Sequence, residues 1–209
     1  MLQRLQLYFW VGSFTILSAI ASPLSSAQLF NSAVDQLPAS DRAALRSGQP
    51  LVTGEKGKYT ARVLVKTSPD VAWSVLTDYS NFSKFLPNVV SSRILESNGD
   101  RKVVEQIDAR QVFLVSVRSR VRSTITEKAK TRIDFQQLDG DLGSLKGYWT
   151  VQPIAPFSGA KANQVLITQI VEAQPKSGTP KDVFYNIFKG SLGETLGAIR
   201  REVGKRTPA

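Results

Sequence analysis

The chain has 209 residues, 42% of them hydrophobic and 21% charged, with 27 Lys and Arg against 17 Asp and Glu for a formal net charge of +10. That length suits one domain of ordinary size plus a targeting segment, and the composition is neither that of a disordered chain nor that of an integral membrane protein. There is no His and no Cys, which excludes thiol nucleophiles, Ser-His-Asp relays, disulfides, and zinc sites built from imidazole or thiolate.

Carboxylates alone can hold calcium or magnesium. The sequence has no D-x-D-x-D-G loop or comparable acidic cluster, so neither a metal nor a cofactor is expected. The excess of Lys and Arg favours anionic partners such as lipid headgroups or nucleic acid. A solvated surface kept soluble by its charge is the plainer alternative.

In chain order, residues 1–27 come first. Arg4 gives a positive start, Leu7 to Ala21 is a 15-residue apolar run, and Ser25-Ser26-Ala27 places small residues before a cut. This is the three-part pattern of a secretory signal, and the run is short for a spanning helix, which needs about 20 apolar residues. An uncleaved anchor is the other reading. The expected location is therefore outside the cytoplasm, at a periplasmic, thylakoid-lumen or extracellular membrane face. For an exported protein a membrane surface is the better partner, and no nucleic acid is expected.

Residues 28–57 read as an N-terminal extension. It holds a short helix from Asp41 to Arg46 behind Ser40 as N-cap, and is then broken by Gly48, Pro50, Gly54 and Gly57. Tyr59 to Lys66 alternates, with Tyr59, Ala61, Val63 and Val65 on one side, and predicts a strand. Ser68-Pro69-Asp70 predicts a helix start, with a capping hydroxyl, a first-turn proline and a carboxylate at the positive end. Val71, Val75, Leu76 and Tyr79 share its apolar face. The loop from Tyr79 to Pro87 carries Tyr79, Phe82, Phe85 and Leu86, too many large apolar groups to sit in water. It either folds back on the core or forms a lid over a cavity.

Strands follow. Ile94-Leu95 and Val103-Val104 flank Asn98-Gly99, a hairpin signal. Val112 to Ile125 reads as one long strand with Phe113, Val115, Val117, Val121 and Ile125 on one face and Arg118, Arg120 and Arg122 on the other. Such an arginine stripe suits an exposed face that repels itself and invites an anionic partner. Ile133 to Leu138, Leu145 to Val151 and Val165 to Glu172 complete the strands.

Thr179-Pro180-Lys181-Asp182 has capping-box spacing and predicts a final helix to about Val203. Phe184, Ile187, Phe188, Leu192, Leu196, Ile199 and Val203 form its apolar stripe. Gly190, Gly193 and Gly197 each cost about 1 kcal/mol against Ala in a helix interior, so they imply close packing, a kink, or room for a ligand. Arg200, Arg201, Lys205 and Arg206 gather at its end. They complement the helix dipole or meet a lipid headgroup.

Strand, helix, six or so meandering strands and a long helix, with no βαβ alternation, predict an antiparallel sheet with its helices on one side. Polar candidates for a cavity wall are Tyr79, Glu105, Asp108, Arg110, Tyr148, Gln169 and Glu172. A buried carboxylate there would serve as a general base.

The segments Pro69-Asp70-Val71-Ala72-Trp73, Leu76-Thr77-Asp78-Tyr79 and Phe85-Leu86-Pro87, with the long last helix, resemble the START-like helix-grip superfamily. The likeness is to its coenzyme-Q-binding and polyketide cyclase/dehydrase branch. It implies an α+β domain over residues 58–204, a curved antiparallel sheet wrapped around the C-terminal helix with an apolar cavity between them. It further implies binding, shielding or transfer of a quinone, pigment or lipid. Val71, Val75, Tyr79, Phe85, Phe113, Trp149, Phe184, Phe188 and Leu192 would line or gate that cavity. Arg118, Arg120, Arg122, Arg200 and Arg201 would face an anionic membrane. A cyclase-like enzyme using a cavity carboxylate or tyrosine, or a protein-interaction module using the basic face, are the alternatives.

Overall fold

A computed structural model describes residues 32–112, 115–157 and 160–208. Residues 1–27, read as a signal, and Phe113 lie outside the described residues. Eight strands form one antiparallel sheet: β1 (Leu51–Glu55), β2 (Lys58–Val65), β3 (Val89–Asn98), β4 (Arg101–Val112), β5 (Val115–Lys128), β6 (Arg132–Gly140), β7 (Ser144–Ile154) and β8 (Gln164–Gln174). Their order across the sheet is β1-β2-β8-β7-β6-β5-β4-β3. Among the described residues four α-helices accompany them: α1 (Ala39–Arg46), α2 (Pro69–Leu76), α3 (Phe82–Phe85) and α4 (Lys181–Arg206). This is the expected α+β helix-grip architecture. No described helix is long and apolar enough to cross a membrane.

The period of two along each strand separates two faces. On the concave face Tyr59, Ala61, Val63 and Val65 of β2 join Val165, Ile167 and Val171 of β8, Val75 and Leu76 of α2, and Leu192, Leu196, Ile199 and Val203 of α4 in one buried core. At one end of the convex face Leu64, Leu166 and Ile154 meet Val34 and Leu45 in a second, smaller core. The segment expected as an extension thus covers part of the outer sheet with α1 and adds β1 at its edge. Strand β1 escapes sequence reading because Gly54 sits inside it, at φ 99°.

Local signals explain most boundaries. The Val71 N–H donates to Ser68 Oγ at 3.3 Å, with Pro69 in the first turn of α2. Two other expected caps do not form. Helix α4 starts after Pro180, and α1 after Pro38, with no side-chain cap at either end. The prolines occupy the capping positions themselves and Ser40 falls inside α1, so neither Thr179 nor Ser40 stands where a side-chain oxygen caps the first turn. The hairpin loop is Gly99-Asp100, since Asn98 pairs with Arg101, with Gly99 at φ 59°. The single strand expected from Val112 is two: β4 ends at Val112 and pairs back on β5 from Val115. The sequence is apolar on both sides of this boundary, so no polar break announces it.

Candidate functional site

Helix α4 does not seal the concave face along its whole length. Over about 26 residues, or about 39 Å, its C-terminal half is buried at Leu192, Leu196, Ala198, Ile199 and Val203, whereas Phe184, Ile187 and Phe188 are only partly covered. Between that N-terminal half and the sheet lies a cavity of about 530 Å³, within the range of small-molecule sites. Val75, Tyr79, Ile125, Ile133, Phe135, Trp149, Phe184, Phe188 and Leu192 form apolar parts of its wall. Phe188 packs on Phe184 and Tyr59, ring centroids 5.6 and 5.9 Å apart.

Gly147 shapes the floor. A side chain at this β7 position would collide with the carbonyl oxygen of Ile170 and the ring of Phe135, so only glycine lets β8 and Phe135 approach this closely. The α4 glycines answer differently. A Cβ at Gly190 meets nothing within 4 Å, and those at Gly193 and Gly197 meet only ordinary contacts at 3.6 Å or more. None of the three borders this cavity, and close packing does not account for them.

The mouth lies where lining residues are exposed: Val117 (44%) and Arg118 beside the β4–β5 hairpin, and Lys176, Thr179 and Val183 (42%) at the start of α4. Arg110 reaches across it to Glu194 at 3.9 Å. The Tyr79–Pro87 segment borders the cavity at another place, through Tyr79, Phe82, Leu86 and Pro87. A 3-10 turn at Tyr79–Asn81 and α3 fold it back on the core, with Phe82 edge-on to Tyr79 and Phe85 at 5.5 and 5.7 Å.

Six of the expected lining residues (Val75, Tyr79, Trp149, Phe184, Phe188 and Leu192) therefore share one cavity. Val71 and Phe85 do not reach it. Val71 is one turn earlier on α2 and packs on the core beside the cavity. Phe85 turns toward α4's far end, where the Arg206 guanidinium lies 5.6 Å from its ring.

Of the polar candidates, Tyr79, Asp108, Arg110 and Gln169 line the cavity; Glu105, Tyr148 and Glu172 do not. Strand parity places these last three on the convex face. The Tyr79 hydroxyl is occupied, donating to Glu127 Oε1 at 2.8 Å while Lys102 holds Glu127 Oε2 at 3.0 Å. Burial, then the neighbouring Glu127, pushes the Tyr79 pKa upward. Burial raises Asp108 to about 6, partly opposed by Arg110.

The arginine stripe occupies the convex face but is not simply self-repelling. Glu105, only 4% exposed, sits under Arg93, Arg120 (3.5 Å) and Arg122 (3.1 Å). Asp139 takes further contacts from Arg120 and Arg122 at 2.6 and 3.5 Å. The Arg93 and Arg122 hydrogen bonds hold the Glu105 pKa below its ordinary value. Arg118 is left exposed at the cavity rim, Arg201 is exposed on α4, and the Arg200 guanidinium lies against Gly48.

A family model described as polyketide cyclase / dehydrase and lipid transport matches residues 65–200. The chain belongs to that family. The match runs from the end of β2 into α4, and so spans every strand and helix that lines the cavity.

No curated protein sequence matches this member of the polyketide cyclase / dehydrase and lipid transport family. Solved structures share its fold at low identity. The Zhui aromatase/cyclase from Streptomyces sp. R1128 is 18% identical, with a TM-score of 0.57 over 72% of this chain and 94% of that one. A STAR-related lipid transfer protein from Xanthomonas axonopodis is 19% identical, with a TM-score of 0.57 over 74% and 90%. A START superfamily protein from Mycobacterium smegmatis is 16% identical, with a TM-score of 0.53 over 74% and 97%.

Proposed function

We propose that this protein binds an apolar small molecule, an isoprenoid quinone, pigment or lipid, and shields or carries it near a membrane. The observation carrying the proposal is the cavity of about 530 Å³ under α4, walled by aromatic and aliphatic side chains and open beside Val117 and Val183. The lipid-transport half of the family description agrees with it. Burying about 400 Å² of ligand at about 25 cal/mol per Å² sets an upper scale near 10 kcal/mol; ordering costs bring that to micromolar affinity or somewhat better. The signal pattern of residues 1–27 supports a role outside the cytoplasm. Arg118, Arg200 and Arg201 are the cations we assign to an anionic surface, because Arg120 and Arg122 already answer Glu105 and Asp139.

Native mass spectrometry with organic extraction, on protein purified from its own host's membranes, tests this reading. A near-stoichiometric apolar molecule is expected. It should be lost on Val121→Trp and Ser119→Trp, which fill the cavity from partly exposed positions on β5. An empty protein that takes up no quinone, pigment or lipid when offered them would sink it.

A second reading is favoured by Asp108. A carboxylate with a pKa of about 6 is suited to take a proton near neutral pH, and Arg110 borders the same cavity. A cyclase or dehydrase reaction, the other half of the family description, would use that base; Tyr79 is committed to Glu127. This reading predicts that Asp108→Asn abolishes turnover of a bound polyketone while leaving its binding intact.

A further inference from the structure

Strand β8 presents five residues to the concave face, and four are apolar: Val165, Ile167, Val171 and Ala173 are at most 1% exposed. The fifth, Gln169, sits at the centre of the strand, opposite Ala61 on one side and Trp149 on the other. It is 9% exposed and borders the cavity, yet its amide oxygen Oε1 has no hydrogen-bond partner. Leaving a buried amide carbonyl unpaired costs about 1–3 kcal/mol, and a Leu or Met would fill the position without that cost. Neighbouring polar groups are engaged or distant in the chain's own arrangement: the Tyr79 hydroxyl is held by Glu127, and Asp108 lies on β4, four strands across the sheet.

Resting on the carrier reading above, we propose that Gln169 is the polar anchor of the cavity and that the ligand carries a hydroxyl group at its buried end. A carboxamide offers one acceptor and two N–H donors, and a hydroxyl both donates and accepts. An alcohol or phenol therefore satisfies the Gln169 amide whichever way it is turned, whereas an ether or ketone leaves Oε1 unpaired. The apolar body would lie against Trp149, Phe135, Phe184 and Phe188 and leave by the mouth at Val183. The ligand class is thus an isoprenoid alcohol, a sterol or a prenylated hydroquinone, rather than a hydrocarbon or a fully oxidised quinone.

The test uses ligand-stripped protein and displacement of 1-anilinonaphthalene-8-sulfonate. Three matched pairs serve as competitors: geranylgeraniol, cholesterol and a prenylated hydroquinone, each with its methyl ether. For at least one pair the wild type should prefer the hydroxyl form by about tenfold, and Gln169→Leu and Gln169→Met should bring that preference below about twofold. Ligand-free Gln169→Leu should melt no lower than the wild type, since it removes an unpaired polar group. Equal affinity for alcohol and ether in the wild type overturns the anchor while leaving the carrier reading standing. A preference that survives in both variants places hydroxyl recognition elsewhere and also overturns it. Binding of none of the six compounds overturns the anchor, while the carrier reading is decided separately by the extraction experiment.

Discussion

At Asp108 the folded state and the unfolded chain disagree about a proton. The unfolded carboxyl releases it near 3.8 and the folded one near 6. Between those values the folded state alone stays protonated, so the stabilising contribution is complete below 3.8 and is lost as pH rises through 6. Asp108→Asn, uncharged throughout, should match the wild type near pH 4. It should exceed it at pH 8 by about 2 kcal/mol, taking about 1.4 kcal/mol per pH unit and discounting for partial exposure. Urea unfolding at the two pH values measures the difference; equal gains at both would contradict it. Tyr79→Phe removes the 2.8 Å bond to Glu127 and should cost about 1–2 kcal/mol of stability with unchanged ligand uptake by extraction. Helix period put Val75 on one face of α2 and Phe184, Phe188 and Leu192 on one stripe of α4, and the family resemblance turned those faces, with Trp149, toward a cavity. Sequence gave no means of sorting Glu105 from Asp108. Both lie on β4, and a shift of three residues reverses the face, which only the register of Glu105 with Arg122 settles.

Elements differ in how much of their chemistry is local. Helix α2 was readable from its first three residues because Ser68, Pro69 and Asp70 act within one turn. The β4–β5 hairpin was not, because its turn falls inside an apolar stretch and its strands are defined by pairing alone. Glycine has opposite meanings in α4 and β7. Gly190→Ala adds a methyl group to open space and should raise stability by about 0.5–1 kcal/mol through helix propensity. Gly147→Ala forces a side chain onto the Ile170 carbonyl and should lower stability by about 1–3 kcal/mol through overpacking. Thermal melts of the two single variants check both signs. Glu105→Gln should destabilise at pH 7, leaving Arg93, Arg120 and Arg122 without their shared carboxylate. Since the folded Glu105 pKa lies below its ordinary 4.5, that deficit should shrink as pH falls below 4.5, a trend that melts across pH 3–7 would show.

For the molecule as a whole, ligand and fold are linked. A molecule that enters only the folded cavity should stabilise it by about 2.7 kcal/mol at a hundredfold excess over its Kd. Val121→Trp should show no such shift, and a ligand-dependent melt in that variant would place binding outside the cavity. The antiparallel sheet and the long final helix were legible because each rests on pattern summed over many residues, whereas α3 falls in a segment read as a loop. The α1 layer on the convex face was not: its few contacts, Val34 and Leu45 on Leu64, Ile154 and Leu166, rest on residues far apart in the chain.

The place of β2 in the sheet has a consequence for how the molecule is made. Strands β3 to β8 pair each with the next, but β2 pairs with β8, from Lys58 with Glu172 to Val65 with Val165, about a hundred residues apart. Until β8 and α4 have left the ribosome, Tyr59, Ala61, Val63 and Val65 lack most of the core they share with Val165, Ile167, Val171, Leu192, Leu196 and Ile199. Such distant closure makes folding slow. The cavity, whose wall includes β8 and α4, is therefore among the last parts to exist.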